Sequence, residues 1–108
     1  MTTQRLNEIL LQNAATATGN GAELSVASYD MAIFQVTGIT TATITWEATI
    51  DGTNWATWLG FDYTGSGAST ATGNGIYTAL TKGLFAMRAR ISAYTSGTIT
   101  VRGRCVST

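Results

Sequence analysis

Between Ala42 and Ile50 the chain reads ATITWEATI, and its residues alternate without a break. Ala42, Ile44, Trp46, Ala48 and Ile50 fall on one side, and Thr43, Thr45, Glu47 and Thr49 on the other. A period of two belongs to a half-buried β-strand. The run FAMRARISAY at 85–94 repeats the pattern, with Met87, Ala89, Ile91 and Ala93 inward and Arg88, Arg90, Ser92 and Tyr94 outward. In GTITVRGRCV at 97–106, Ile99, Val101, Gly103 and Cys105 are inward and Thr98, Thr100, Arg102 and Arg104 outward. Thr, Val, Ile and aromatic residues dominate the rest, Gly clusters punctuate it, and no further amphipathic helical window appears downstream of residue 13. The fold class expected is all-β, a single antiparallel β-sandwich of jelly-roll or Ig-like kind.

A second pattern bears on how the sandwich is made. The hexamer TATGNG stands at Thr16–Gly21 and again at Thr70–Gly75. With one extra residue allowed after it, Ala32, Phe34 and Val36 superpose on Met87, Ala89 and Ile91, and ATITWEA at 42–48 superposes on GTITVRG at 97–103. Inward and outward positions agree throughout, so two pseudo-repeated halves are expected, each a Gly-Asn-Gly turn, a lead-in strand and a hairpin. Gly-Asn-Gly needs no function, because both residue types tolerate positive φ in tight turns.

Residues 1–13, MTTQRLNEILLQN, place Leu6, Ile9 and Leu10 at helical spacing, but the window is too short to be stable alone. We expect an N-terminal arm leading into a first strand over 1–13, and the sandwich domain over 14–108. Asp51-Gly52 signals a hairpin, Trp55 to Phe61 a short strand, and TGSGAST a mobile loop without apolar anchors.

Composition narrows the function. Only 11% of the 108 residues are charged, against roughly 25% in ordinary domains, and six basic residues balance six acidic ones. Zero formal charge argues against nucleic acid and membrane as partners and favours self-association. There is no His and one Cys, so Ser-His-Asp and Cys-His catalysis, a Cys/His zinc site and an internal disulfide have no residues to build them. Cys105 reads as a core side chain. The N-terminus has no signal-type apolar run and no stretch is long enough to span a membrane. A carboxylate pair such as Glu47 with Asp62 is not placed across a cleft by anything in the sequence, and Asp51, Asn54 and Asp62 lack a calcium-loop signature. No enzyme activity and no cofactor or metal is expected.

Two clusters remain. If Thr95-Ser96-Gly97 closes a hairpin, Arg90 faces Arg102 and Arg88 faces Arg104, placing four of six basic residues on one sheet face. Like charges held opposite one another cost stability. Solvated guanidinium groups, a carboxylate surface on a neighbouring subunit, or a polyanion would each relieve that cost. Glu47 occupies the position in the first half that Arg102 has in the second, which suits head-to-tail packing or pairing within the chain. The second cluster is aromatic: Trp55, Trp58 and Tyr63, with Asp62 nearby, would form a sugar-stacking platform if exposed. The competing reading puts one of Trp55 or Trp58 at the end of the core.

The segments NAATATGNG, MAIFQVTG, TATITWEATIDGTNW and GIYTALTKGLFAMRARISAYTSGTITVRGR together resemble small virion proteins of tailed bacteriophages and prophages, over most of the chain from about residue 8. EATIDGTNW and RARISAYTSGTITVRG are the most specific pieces. The resemblance implies a β-sandwich and a capsid decoration or head-stabilising role, with tail or fibre attachment as the neighbouring option, and brings no catalytic residue. The expected protein is a homo-oligomer in the virion, assembled in the bacterial host cytoplasm. It would bind the major capsid protein or another virion protein through Arg88, Arg90, Arg102, Arg104, Glu47 and the arm residues Leu6, Ile9 and Leu10. The alternative is a carbohydrate-binding module of a tail or fibre.

Overall fold

The computed structural model describes residues 8–107. Among them are nine strands, all joined antiparallel in one sheet, and no helix: β1 (Ile9–Ala15), β2 (Glu23–Ser25), β3 (Met31–Thr49), β4 (Ala56–Thr57), β5 (Gly60–Phe61), β6 (Gly67–Ala68), β7 (Thr70–Ala71), β8 (Gly75–Leu80) and β9 (Ala86–Val106). The strands run in the order β1-β9-β3-β8-β5-β6, with β2 also on β9 and β4 and β7 also on β3. Leu6 lies outside the described residues.

Two strands dominate. Straight, the 19 residues of β3 would reach about 63 Å, yet the longest dimension of the molecule is 41 Å. Phe34 and Trp46 stand twelve residues apart on β3, about 40 Å along a straight strand, but their rings stack with centroids 4.9 Å apart. The strand therefore doubles back, and β9 bends with it, pairing from Met31↔Val106 to Thr49↔Ala86. The register slips at Thr37/Ile39, Ile39/Thr41 and Thr41/Ala42, opposite Ser96 and Gly97. There Gly38 (φ 85) and Gly97 (φ 124) press together: a Cβ on Gly97 would lie 2.5 Å from the Gly38 carbonyl oxygen, and one on Gly38 would overlap that of Thr98. Only glycine fits such a corner. Asn74 pins it by donating from Nδ2 to the Ile39 carbonyl and accepting from the Ile39 amide at 2.9 Å.

The bend folds one sheet into two facing layers, a sandwich made at a corner. The expected hairpin at Thr95-Ser96-Gly97 is not formed: those residues continue β9, and the two runs that were to pair with each other pair instead with the two limbs of β3. Bulges and a turn draw on the same residues, Gly, Ser and Thr. Between the layers lie Phe34, Val36, Ile99 and Val101 from one side and Ile44, Trp46, Met87, Ala89 and Ile91 from the other, all buried. Gln12 crosses the gap, its Nε2 donating to the Ala89 carbonyl at 2.8 Å. Ile50 and Ala93 leave the inward pattern and are exposed, Ile50 because β3 ends at Thr49 and Ala93 because it lies at a register slip. Residues 64–70, expected as a loop, contribute β6 and the start of β7.

The repeat holds in three dimensions. Leu24 pairs with Met87, and the residues that correspond to them, Ala79 and Ala32, pair with each other. The Val26 amide donates to the Phe85 carbonyl, as the Thr81 amide does to that of Asp30; Tyr29 donates to Val26 as Leu84 does to Thr81. Each repeat's short strands pair with the other repeat's long one: β1 and β2 lie on β9, and β7 and β8 on β3.

Candidate functional site

Because the sheet is bent, the outward arginines are parted rather than gathered. Arg88 and Arg90 stand on the outer face of one layer, Arg102 and Arg104 on that of the other. The expected facing pairs Arg90 with Arg102 and Arg88 with Arg104 do not occur, since β9 does not fold on itself.

In the first layer Arg88 is directly across from Glu47, with Glu23 on its far side, and Arg90 across from Thr45. Nε of Arg88 donates to Glu47 Oε1 at 2.7 Å and Nε of Arg90 to Oε2 at 3.0 Å. Trp55, from the turn after β3, lies over Arg88 with its ring centroid 4.2 Å from Cζ. Burial pulls the Glu47 carboxyl upward, but the hydrogen bonds and charges of Arg88 and Arg90 outweigh it and the net movement is downward. Thr45 closes the row by sharing a hydrogen bond with Ser92 at 2.7 Å. Both guanidinium groups of this face are thus bonded to one carboxylate, and Arg88 is largely covered.

The second layer is different. One row across the sheet reads Ile76, Gln35, Arg102 and Leu10, and the next reads Thr78, Ile33 and Arg104. NH1 of Arg102 reaches Glu8 Oε2 at 2.9 Å. Arg104 is exposed and has no hydrogen-bond or ion-pair partner among the described residues. Glu8, Ile33, Gln35, Ile76, Arg102, Gly103 and Arg104 line an open cavity of about 570 Å³. Ile9 and Leu10 are both on β1, at 41% and 38% exposure, but part company: Leu10 joins Arg102 on this face, while Ile9 lines a different hollow with Glu23 and Cys105.

The aromatic cluster is dispersed. Trp46 is in the core, its Nε1 without a hydrogen-bond partner among the described residues. Trp58 is 39% exposed and donates Nε1–H to the Leu80 carbonyl at 2.8 Å. With Leu59, Phe61 and Leu80 it lines a hollow of about 120 Å³. Tyr63 is almost fully exposed. Asp62 Oδ1 accepts from the Thr64 hydroxyl and the Thr64 and Ser66 amides, which hold its carboxyl below the ordinary range. Asp51 is tied in the same manner to Asn54, Thr53 and Thr49. Both carboxylates thus organise turns. Sequence reasoning missed Ile33, Gln35 and Ile76; their signal was alternation, which placed Ile33 and Gln35 outward opposite an inward Phe34.

The fold of this bent, all-antiparallel sheet is found among proteins of prophages. The SPBc2 prophage-derived protein YomS shares it at a TM-score of 0.80 and 24% identity, over 93% of this chain and 91% of that one. The PBSX exported protein XepA shares it at a TM-score of 0.86 and 20% identity, over 93% of this chain but only 37% of XepA. The XepA family model matches residues 5–105, and the chain belongs to that family. The resemblance to small phage and prophage proteins is borne out. Among curated proteins none matches the chain.

Proposed function

We propose that the chain is a structural protein of a phage particle that works by docking and not by catalysis. Bound as a homo-oligomer to the outside of the shell, on the major capsid protein or another virion protein, it acts as a decoration protein. The observation that carries this reading is the unequal treatment of the two outer faces. One has its charges closed by Glu47 and Trp55, and the other presents Arg104, Leu10 and Ile76 to solvent. Exposed apolar groups beside an unpaired guanidinium are what a protein interface uses.

The test is a mass-spectrometric copy count in gradient-purified particles, with light scattering of the isolated protein. We expect a fixed number of copies per particle and a defined oligomer. Absence from particles would end the decoration reading. A second reading, a module released from the cell, draws on the name of the PBSX exported protein XepA, and accumulation of the chain outside cells without particles would favour it. The sugar-binding alternative is weakened by Trp58, whose Nε1–H is engaged within the chain, and by Asp62, whose Oδ1 is. No response of Trp fluorescence across a glycan panel would remove it.

A further inference from the structure

The repeat supplies an internal comparison for the open groove. In the covered layer, a carboxylate, Glu47, bridges two guanidinium groups, and an aromatic ring, Trp55, lies on one of them. In the open layer two guanidinium groups also share the face, but the one carboxylate beside them, Glu8, is 2.9 Å from Arg102 while Arg104 is left without a partner among the described residues. No described segment lies over Arg104 as Trp55 lies over Arg88. Ile33 and Ile76 flank the vacancy, Ile76 at 47% exposure.

We propose that this groove takes an acidic peptide segment of a partner protein. A side-chain carboxylate of that segment would meet Arg104 as Glu47 meets Arg88, and an adjacent large apolar or aromatic side chain would cover Ile33 and Ile76. Charge complementarity sets the sign, since the lining holds two guanidinium groups and one carboxylate and so lacks one negative charge. An Arg-carboxylate pair on a partly covered apolar face is stronger than one in open solvent. A nucleic acid would need several phosphate contacts, which one excess positive charge on a chain of zero formal charge does not offer. A cavity of about 570 Å³ has room for two or three side chains. The proposal rests on the docking reading for the partner's identity as a protein, but its test does not.

The probe is a short fluorescein-labelled peptide with a Glu-Trp-Glu core, with a Gln-Trp-Gln peptide as its control, titrated against the isolated full chain by anisotropy. The Glu peptide is expected to bind, with amide shifts at Ile33 and Ile76, and the Gln peptide to bind about tenfold more weakly. Arg104→Glu is expected to remove the preference, and Arg104→Gln to reduce it, with native near-UV circular dichroism in both; Lys82→Glu should leave it unchanged. Equal binding of the two peptides, shifts confined to other faces, no binding of the Glu peptide, or stronger competition by a short DNA oligonucleotide would each overturn the proposal. Peptide binding by a chain absent from particles would instead keep the groove and discard the decoration role.

Discussion

Glu47 is legible in the sequence as an outward residue of an alternating strand, where head-to-tail packing and pairing within the chain fit it equally. What the sequence could not give was the bend that brings β9 alongside, nor Trp55 closing over Arg88, because both depend on contacts between distant residues. Removing the carboxylate leaves Arg88, whose side chain is 16% exposed, without its partner, so Glu47→Ala should cost about 2–3 kcal/mol in urea unfolding. Trp55→Ala should cost less, about 0.5–1 kcal/mol. Glu47 also sets a pH dependence. Its folded-state carboxyl lies below its unfolded value of 4.5, so its contribution is present above that pH and is lost as pH falls through the folded value. Asp51 and Asp62 are lowered too and act with the same sign. The measurement is therefore a difference: wild type should lose more stability than Glu47→Gln on going below about pH 4.5, and parallel curves would show that the triad is not coupled to folding. Cys105 is 4% exposed, and burial pushes its thiol upward. It should resist a thiol reagent in the native state and react fully in urea.

At the level of elements, alternation found the limbs of β3 and β9 and the faces of nearly every residue in them, because side-chain direction in a strand is local. It did not find that the limbs were continuous. Around 95–97 the sequence has the residues of a tight turn, and the same residues make a bulge when a glycine on the neighbouring strand stands opposite. Gly38 is that glycine, and its place in the middle of an alternating run was the available signal. Gly38→Ala puts a Cβ into the Thr98 carbonyl at a φ of 85, and Gly97→Ala meets backbone at 2.5 and 2.8 Å. Neither neighbour can move without opening the β3–β9 ladder. Each variant should lose on the order of 3 kcal/mol or more, seen as a lower urea midpoint, whereas Gly65→Ala, at a similar positive φ but with open space around it, should lose only the backbone strain, about 1–2 kcal/mol. Equal effects at the three glycines would mean that the corner is not what holds the bend.

For the whole molecule, the duplication was readable from matched periodicity, but the exchange of strands between repeats was not, since pairing partners lie far apart in sequence and the pattern within each repeat is the same either way. The exchange means that neither repeat can complete its own sheet. A chain cut in the turn at Gly65 should give two pieces without a near-UV signal alone, and an equimolar mixture should regain it; a piece that folds cooperatively by itself would contradict the pairing described above. The same exchange orders events on the ribosome. β1 finds its partner strand at Ile99–Gly103, so it leaves the exit tunnel long before the residues it pairs with. Until then Phe34, Ile44 and Trp46 lack the β9 half of each layer, and the nascent chain is at its most exposed to chaperones and to other nascent chains of its kind.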